Sequence, residues 1–506
     1  MSEARIADGL PLTARRKALW PVLAVTAAFV ISRIGYHAAG VRFDASSLPW
    51  LWQFIDPALL KANLWQSLWY LHSQPPMFNL FLGIVVNLFP GHESAVFAFS
   101  YLLLGLIFAV ALFLLLRGFG VPDVLSAVAA AVYAASPAVV LYENWLFYAY
   151  PVTVLLLLVA LFWQRFVRSD RFLDALLIFV CAALLALTWS LFHLVWLLAL
   201  VIVLAYLRRK GWRKVLSAAA VPVLIVVFWY GKNLVQFGQF TGSTWFGMSF
   251  AKITVGELTT AERRVLYDSG TISAVSLLSP FSSPEEYYRT VPKQSTTGIP
   301  VLDQETKPSG FPNYNNVLYV TLSRRYGRDA FRTLMSRPAS YARGLAESYF
   351  VYSLPSGRHR YLPAGNAARI NALERRVNLA LNGLFGLDVE RNPTSVRLLS
   401  RFSEAMFHPG WLLIWVYALV LVFGPVFLLR RAHSVTYSTS LLFLWLNIAW
   451  ITLAANAVEV GENSRFRFTA DPLVFVFLLV VAVVLAKSLP RRSRVTPPCY
   501  RAGSQP

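Results

Sequence analysis

Long apolar runs separated by short polar stretches are the dominant pattern of this chain. About 20 apolar residues in a helix are enough to cross the hydrocarbon core of a bilayer, so runs of roughly 18 or more residues predict membrane-spanning helices. The chain is therefore predicted to be an all-α polytopic membrane protein. The runs predict about ten crossings, at 19–39, 95–116, 122–141, 146–164, 172–189, 191–207, 213–231, 411–429, 435–457 and 469–486.

Two segments need separate interpretation. The first run is long and lacks a clear small-residue cleavage site, so we interpret it as a retained helix rather than a signal peptide. Residues 76–89 are apolar but number only about 14, a length more typical of a re-entrant or interfacial helix than of a crossing. If this segment does cross, the number of crossings rises to about eleven.

Composition supports the membrane interpretation and excludes other classes. The chain is 57% hydrophobic and only 14% charged, whereas about 25% charge is usual in soluble domains. This composition excludes an ordinary soluble enzyme, and the high hydrophobicity excludes intrinsic disorder. The two cysteines, Cys181 and Cys499, cannot form a disulfide framework.

The net charge of +21 at first suggests a nucleic-acid partner, but its distribution indicates membrane orientation instead. Lys and Arg concentrate at both termini and in the short loops near 117, 165–171, 208–214 and 430–431, which places these parts in the cytoplasm. We therefore predict a membrane protein with both termini cytoplasmic and no nucleic-acid partner. The segments left outside are 40–94, 143–150, 189–193, 232–409 and 458–468.

The same pattern divides the chain into four parts. Residues 1–231 form an N-terminal transmembrane module with a long first external loop at 40–94, and residues 410–487 form the C-terminal transmembrane helices. Residues 232–409 are long enough for an external domain, and amphipathic patterns near 328–349 and 367–384 predict that it is mostly helical. Residues 488–506 form a polar cytoplasmic tail.

The first external loop contains the most informative candidates for chemistry. It is rich in Trp and Tyr, which prefer membrane interfaces, and carries the carboxylates Asp44 and Asp56. Asp56 precedes Pro57 and is expected mainly to cap a short helix. Asp44 follows Arg33 and Arg42, an arrangement in which a carboxylate can act as general base while cations hold an anionic leaving group. Arg33 either snorkels to the interface or contacts phosphate.

Other charged residues also fall at the predicted external helix ends. Any one of them is often a solvated group, but together they describe a cavity at the outer leaflet for a phosphate-linked substrate whose lipid tail stays in the bilayer. The basic group Arg324, Arg325 and Arg328 of the external domain is either a solvated face or a site for an anionic acceptor or lipid headgroup. The residues at the helix ends are Asp44, His72, Glu143, Lys232, Glu459, Glu462, Arg465 and Arg467.

Four short motifs resemble those of the GT-C glycosyltransferases, particularly the bacterial branch related to protein mannosyltransferases and lipid A aminoarabinose transferases. After the acidic first loop comes His72-Ser73-Gln74-Pro75-Pro76, one residue longer than the His-x-Pro-Pro element of that family. The turn from Tyr142-Glu143-Asn144 to Pro151 is similar to one bearing a second acidic residue. Lys232-Asn233 replaces the family's Arg-Asn, and 462–468 resembles its Glu-x-Arg-Tyr pattern.

The resemblance implies an inverting transfer of a sugar from a polyprenyl-phosphate donor to a glycan, lipid or protein acceptor. It implies that Asp44 is the catalytic base, assisted by Glu143. The implied phosphate-binding residues are Arg33, Lys232, Arg465 and Arg467, and the supporting residues are Asp56, His72 and Glu462. The Lys at 232 lacks the bidentate geometry of Arg.

Several alternatives stay open on the sequence. A transporter or lipid flippase also needs a polar cavity, although its charges should lie near the bilayer midplane. An O-antigen-ligase-like transferase would use a diphosphate-linked oligosaccharide, and a degenerate relative would only bind a lipid-linked sugar. No cofactor motif is evident. Asp44, Glu143 and Glu462 could meet around a divalent cation.

Overall fold

The computed structural model describes residues 12–354, 356–378, 412–430 and 435–488. Within them the regular structure is helical, and the only extended pairings are two isolated β-bridges. The predicted tail from 489 onward and the end of the helix predicted at 367–384 lie outside these residues.

The helices of the N-terminal part are numbered in chain order. They are α1 Leu12–Ala38, α2 Pro57–Ala62, α3 Leu64–Trp69, α4 Met77–Leu88, α5 Glu93–Gly118, α6 Asp123–Ala134, α7 Pro137–Glu143, α8 Ala149–Ser169, α9 Phe172–Ala186, α10 Leu194–Leu207 and α11 Trp212–Phe237. The following helices are α12 Phe246–Ile253, α13 Thr260–Asp268, α14 Pro284–Tyr287, α15 Pro300–Asp303, α16 Leu318–Ser336, α17 Pro338–Ser353, α18 Ala364–Asn378, α19 Leu412–Arg430, α20 Val435–Val458 and α21 Asn463–Ser488.

Each of the ten apolar runs coincides with a helix, but the helices differ in length. Six of them, α1, α5, α8, α11, α20 and α21, are long and apolar enough to span a membrane. The pair α6 and α7 is bent by 58° at a short break and forms a seventh span if it crosses as one. Shorter apolar helices are α4, α9, α10 and, within α19, the segment Trp415–Leu429. The protein is thus a multi-pass α-helical membrane protein.

Helix α8 lies at the centre of the bundle. It contacts α5, α9, α20 and α21, and most of its side chains are buried among theirs. Helix α1 lies at the periphery and exposes Leu23, Ile31 and Ile34. Large apolar side chains on the outer face of a helix are unfavourable in water, so this face of α1 is expected to contact lipid.

The connections meet at one end of the bundle, which we call the loop end and define as residues 39–76, 144–148, 187–193, 238–378 and 459–462. The Met77 N–H donates to Leu187 O (2.8 Å), and the Thr244 N–H donates to His72 O (2.9 Å). These main-chain bonds join the first loop to two segments that are distant in sequence. The loop end is therefore a packed layer.

The largest part of this layer has its own core, built around α12 and α16. Trp245, Met248, Tyr319 and Tyr326 belong to a buried cluster separate from the bundle core. The two helices approach closely at Gly247, where a Cβ atom would lie 1.9 Å from Ser323 O. Only glycine permits this approach, because any side chain would collide with the backbone of α16.

Candidate functional site

A lateral groove of about 1130 Å³ runs between α1 and α5. Its walls are apolar side chains of these two helices, among them Val30, Ile34, Phe99 and Leu102, which are substantially exposed. Arg33, Glu143 and Asn144 belong to its polar lining, which also includes His37, Arg42, His92 and Ser94. An apolar groove with a few polar groups at one place is a typical binding site for an amphipathic ligand.

Within this polar lining, Arg33 and Glu143 form a bidentate ion pair. Arg33 Nε donates to Glu143 Oε1 (2.7 Å), and Arg33 Nη2 donates to Glu143 Oε2 (2.6 Å). The Tyr150 hydroxyl also donates to Glu143 Oε2 (3.0 Å). Both side chains are about nine-tenths or more buried, so each charge depends on the other for compensation. The fork geometry fixes the position of Glu143 between α1, α7 and α8.

Asp44 is joined to the same place through the main chain. Its N–H donates to Asn144 O and its C=O accepts from the Leu146 N–H, both at 3.0 Å, which forms a parallel β-bridge with Trp145. The half-exposed side chain accepts from the Ser46 N–H (2.8 Å). Asp44 itself does not line the groove, but its chain neighbour Phe43 and its bridge partner's neighbour Asn144 both do. The fold thus brings together two of the predicted site segments.

A second cavity of about 340 Å³ lies at the loop end. Aromatic rings of Trp52, Trp189 and Trp245 form part of its wall. Polar side chains complete the wall, namely Gln53, Gln74, Ser190, His193, Thr241, Ser243, Ser249, Lys252, Glu459, Glu462 and Arg465. Flat apolar rings combined with hydrogen-bonding groups suit a small polyhydroxylated or anionic ligand.

Arg465 is the most distinctive residue of this cavity. Its guanidinium group lies over the rings of Phe147 (4.7 Å) and Phe466 (4.8 Å), and Nη2 donates to Glu462 Oε2 (2.5 Å). The Tyr148 side chain also interacts with this guanidinium group, and Nε and Nη1 have no hydrogen bond of good geometry among the described residues. Burial alone would raise the pKa of the Glu462 carboxyl, but the charge of Arg465 lowers it to about 2. Arg465 is therefore a buried cation with donors to spare.

Arg467 follows Arg465 by two residues in α21, which places it on nearly the opposite face of the helix, and it has different partners. It lies within ion-pair distance of Asp471 (3.3 Å), and its Nη1 donates to Ser353 O (3.1 Å). The Tyr417 hydroxyl donates to the same Asp471 carboxylate. Arg467 thus joins α21 to α17 and α19, apart from both the groove and the second cavity.

Two buried lysines hold the first loop in place. Lys232 Nζ donates to Trp69 O (3.0 Å) and Leu71 O (2.8 Å), and it lies over the Trp229 ring. Lys307 Nζ donates in the same manner to Leu51 O (2.8 Å), and burial lowers its pKa to about 8. Both amines are therefore used to satisfy main-chain carbonyls.

His72 is fully buried and has a protein partner at each ring nitrogen. Its Nε2 lies 2.9 Å from Asn315 O, which can only accept, so Nε2 carries the proton and Nδ1 accepts from the Thr244 hydroxyl at 2.8 Å. Burial lowers the pKa of His72 to about 3. Its position indicates that it joins the first loop to the segment around Asn315.

Asp56 caps α2, as the sequence predicts. Its Oδ1 accepts from the Ala58 N–H (2.7 Å), and its Oδ2 accepts from the Ser309 N–H (3.0 Å). The carboxylate is therefore occupied at the helix N-terminus, away from the groove residues.

The sequence did not single out Tyr150 as a partner of Glu143, or Lys307 and Asn315 as ties to the first loop. Asn315 Oδ1 accepts hydrogen bonds from the main-chain N–H groups of His72 and Ser73. The unusual run Asn313-Tyr314-Asn315-Asn316 was a detectable signal, since several Asn in succession indicate backbone-binding turns.

The carboxylates and other possible metal ligands of the described residues do not converge on one point. The described residues contain no group of three or more His, Cys, Asp and Glu side chains placed to hold an ion. Glu143 is bound to Arg33 and Tyr150, and Glu462 is bound to Arg465. These carboxylates thus already have protein partners.

Comparison with protein-family models, curated proteins and solved structures found no match for this chain. The class defined by the fold and the site is accordingly a multi-pass α-helical membrane protein with an apolar lateral groove, a buried ion pair at that groove and a separate aromatic cavity at the loop end.

Proposed function

We propose that the protein is a membrane glycosyltransferase that moves a sugar from a polyprenyl-phosphate donor to an envelope acceptor on the external face. The observation that carries this proposal is the apolar groove of about 1130 Å³, which reaches Arg33, Glu143 and Asn144. An isoprenoid chain that enters the groove from the bilayer stays in an apolar environment, so the groove suits such a chain. The acceptor is a glycan, a lipid or a protein.

The proposed reaction uses Asp44 as general base. Its carboxylate takes the proton from an acceptor hydroxyl while that oxygen attacks the anomeric carbon of the donor sugar. The bond from the anomeric carbon to the phosphate oxygen breaks, polyprenyl phosphate leaves, and the configuration inverts. The β-bridge between Asp44 and Trp145 supports this role, because it fixes the base beside the turn that carries Glu143.

Among the four implied phosphate-binding residues, Arg465 is the cation best suited to the leaving phosphate. It lies in the second cavity, which turn 144–148 joins to the groove, since Asn144 lines the groove and Tyr148 lines the cavity. Arg33 is held bidentately by Glu143, Lys232 by two carbonyl groups, and Arg467 by Asp471 and Ser353. Arg465 alone among these four keeps two guanidinium nitrogens, Nε and Nη1, without a hydrogen bond of good geometry in the described part of the chain. Planar guanidinium groups match phosphate oxygens well. In this proposal Glu143 and Glu462 position the two arginines.

We also propose a membrane topology, namely the number of crossings and the side on which each segment lies. A GT-C-type arrangement would have ten to eleven crossings, with 232–409 as an external domain and both termini in the cytoplasm of a bacterial inner membrane. The meeting of the first loop with segment 238–378 at one end of the bundle supports placing these parts on the same side. A divalent cation is an optional part of this proposal.

The experiment is a transfer assay with radiolabelled polyprenyl-phosphate sugar and membrane fractions as acceptor. We expect Asp44→Asn to lower the rate by about 100-fold or more, because a general base contributes this much. Asn retains the oxygen that accepts from Ser46, so the local turn should persist. Asp268→Asn, at an exposed position of α13, is the matched control. Full activity of purified Asp44→Asn would refute the assigned base.

The break between α6 and α7 favours a second candidate, a transporter or flippase for lipid-linked sugars. Broken membrane helices often line transport sites, and here the broken helix ends at Glu143. Liposomes with a fluorescent lipid-linked sugar discriminate the two functions. Movement of the sugar between leaflets without covalent transfer would favour the transporter.

A further inference from the structure

A stripe of arginines follows one face of α16 in the segment that the sequence assigns to the external domain. Arg324, Arg328 and Arg332 are four residues apart, so they lie above one another along the helix, and all three are exposed. Phe331 and Met335 are 52% and 83% exposed beside them. The combination of cations with exposed large apolar groups is unusual for a face that contacts only water.

The stripe borders a groove of about 370 Å³ between α12 and α16. Gly247 and Gly327 let the two helices cross at close distance, and both glycines line the groove. Phe246 and Phe331 form apolar walls, and Arg328 and Arg332 line the same groove. The groove therefore offers both a charged and an apolar contact to one ligand.

The groove lies at the end of a candidate membrane span. An Arg324 guanidinium nitrogen donates to Phe237 O, the carbonyl of the last residue of α11, which ties α16 to that helix end. The last turn of α11 exposes Leu234 and Val235, and Phe240 follows with 49% exposure. Exposed apolar groups thus extend from the end of this span to Phe246 in the groove, and the end of a spanning helix is where lipid headgroups are expected.

No acidic side chain among the described residues neutralises the positive charge of the arginine stripe. None of Arg324, Arg328 and Arg332 forms an ion pair among the described residues, and the weak contact of Arg332 is to a carbonyl, Thr271 O at 3.5 Å. The one carboxylate of α16, Asp329, is buried on another face, where it accepts from Ser273 and Ser276. An anionic partner would complement the stripe.

We propose that this groove binds the headgroup of an anionic phospholipid of the surrounding leaflet, with Arg328 and Arg332 contacting the phosphate and Phe246 and Phe331 contacting the upper acyl chain. The contact anchors α12 and α16 to the membrane surface beside α11. The proposal does not depend on glycosyl transfer.

The test uses the full-length chain in nanodiscs, with Cys181→Ala and Cys499→Ser and a bimane fluorophore on Ser336→Cys, an exposed position at the end of α16. Phosphatidylglycerol and phosphatidylcholine carrying a doxyl spin label near the headgroup quench the fluorophore when they lie close. We expect quenching by phosphatidylglycerol to exceed quenching by phosphatidylcholine at equal mole fraction. Each arginine removed should lower this excess about fivefold, since one cation near an anionic surface contributes about 1 kcal/mol.

The decisive variant is Arg328→Gln/Arg332→Gln, and the matched control is Arg264→Gln/Arg289→Gln, which removes the same charge from exposed positions elsewhere in the segment. The double variant should lose the excess and keep the quenching by phosphatidylcholine, whereas the control should keep both. An excess that survives in the variant, or that disappears equally in the control, would overturn the proposal. Absence of quenching by either lipid in the native chain would overturn it as well.

Discussion

At the scale of single residues, the structure separates charged groups that are already satisfied from those that retain capacity for a ligand. The sequence places Arg465 at an external helix end and Arg33 inside the first helix, and their side chains are only 3% and 10% exposed. Arg33 is held bidentately by Glu143, whereas Arg465 uses one nitrogen on Glu462 and retains two others. Removing either partner of a buried pair would cost about 3–5 kcal/mol, so these carboxylates also serve stability.

A different pair of carboxylates, Glu257 and Glu347, gives the chain a stability that depends on pH. Both are buried, at 6% and 3% exposure, and each has an oxygen without a hydrogen bond in the described residues. Burial, reinforced for Glu257 by the charge of Glu347, raises the pKa of Glu257 to about 8, and burial raises that of Glu347 to about 7. The folded state therefore binds protons more tightly than the unfolded state.

We predict that stability contributed by this pair is complete below about pH 4.5, the unfolded pKa, and is lost as the pH rises through 7 to 8. Glu347→Gln should therefore raise the unfolding free energy by about 2 to 3 kcal/mol more at pH 8 than at pH 5, because each unit of the raised pKa corresponds to about 1.4 kcal/mol. Thermal unfolding in detergent at both values measures the effect. Glu286→Gln, at an exposed position, is the control. A Glu347→Gln variant as pH-sensitive as the native chain would contradict the prediction.

At the scale of helices, the groove depends on how α1, α5 and the broken pair α6 and α7 meet. The helix is interrupted at Ser136, before Pro137, and the Tyr36 hydroxyl of α1 donates to Ala135 O (2.8 Å), a carbonyl at the break. Such compensation is required in a bilayer, where no water is available to the backbone. Helix α5 contributes Gly105, which faces the Glu143 carboxylate.

We predict that Gly105→Ala lowers the melting temperature of the purified protein. A Cβ at this position would lie 2.3 Å from Glu143 Oε2 and 2.9 Å from the Phe29 ring, so the ion pair or α5 must shift. Gly231→Ala in α11 is the matched control, because no atom lies within 4 Å of the added Cβ. That change should be neutral or stabilising by up to about 1 kcal/mol, the difference in helix propensity. Equal melting temperatures in the two variants would argue against close packing at Gly105.

At the scale of the whole molecule, the basic short loops and the packed loop end describe opposite ends of one bundle. Arg208 and Lys214 bind Asp170 at one end, whereas Asp44, His72 and Thr244 belong to the other. The excess of Lys and Arg at the first end predicts that it faces the cytoplasm.

Labelling of introduced cysteines tests this orientation in a background with Cys181→Ala and Cys499→Ser. Lys210→Cys lies between α10 and α11, and Glu285→Cys lies at the loop end; both positions are exposed. A membrane-impermeant maleimide added to intact cells should label position 285 and should label position 210 only after lysis. Labelling of position 210 in intact cells would reverse the orientation.

The sequence predicted the fold to a useful level but predicted its contacts poorly. Apolar run length located the helices of the bundle, and the short run at 76–89 became the 12-residue helix α4. It did not predict the short helices of the loop end or the break between α6 and α7. The predicted cap at Asp56 was confirmed, because capping is a local interaction. The partners of Lys232 and His72 were not predicted, since they come from segments more than 150 residues away.

By itself, the sequence determined that the chain is a multi-pass helical protein, because hydrophobic length and the cost of unpaired backbone groups in lipid leave few other structures. It also determined which charged residues lie near helix ends. Only the tertiary structure decided which of them are neutralised. Whether Arg33 meets Glu143, or Arg465 retains two donors among aromatic rings, depends on how distant helices pack. The energy of a buried charge is set by those neighbours, which local sequence does not specify.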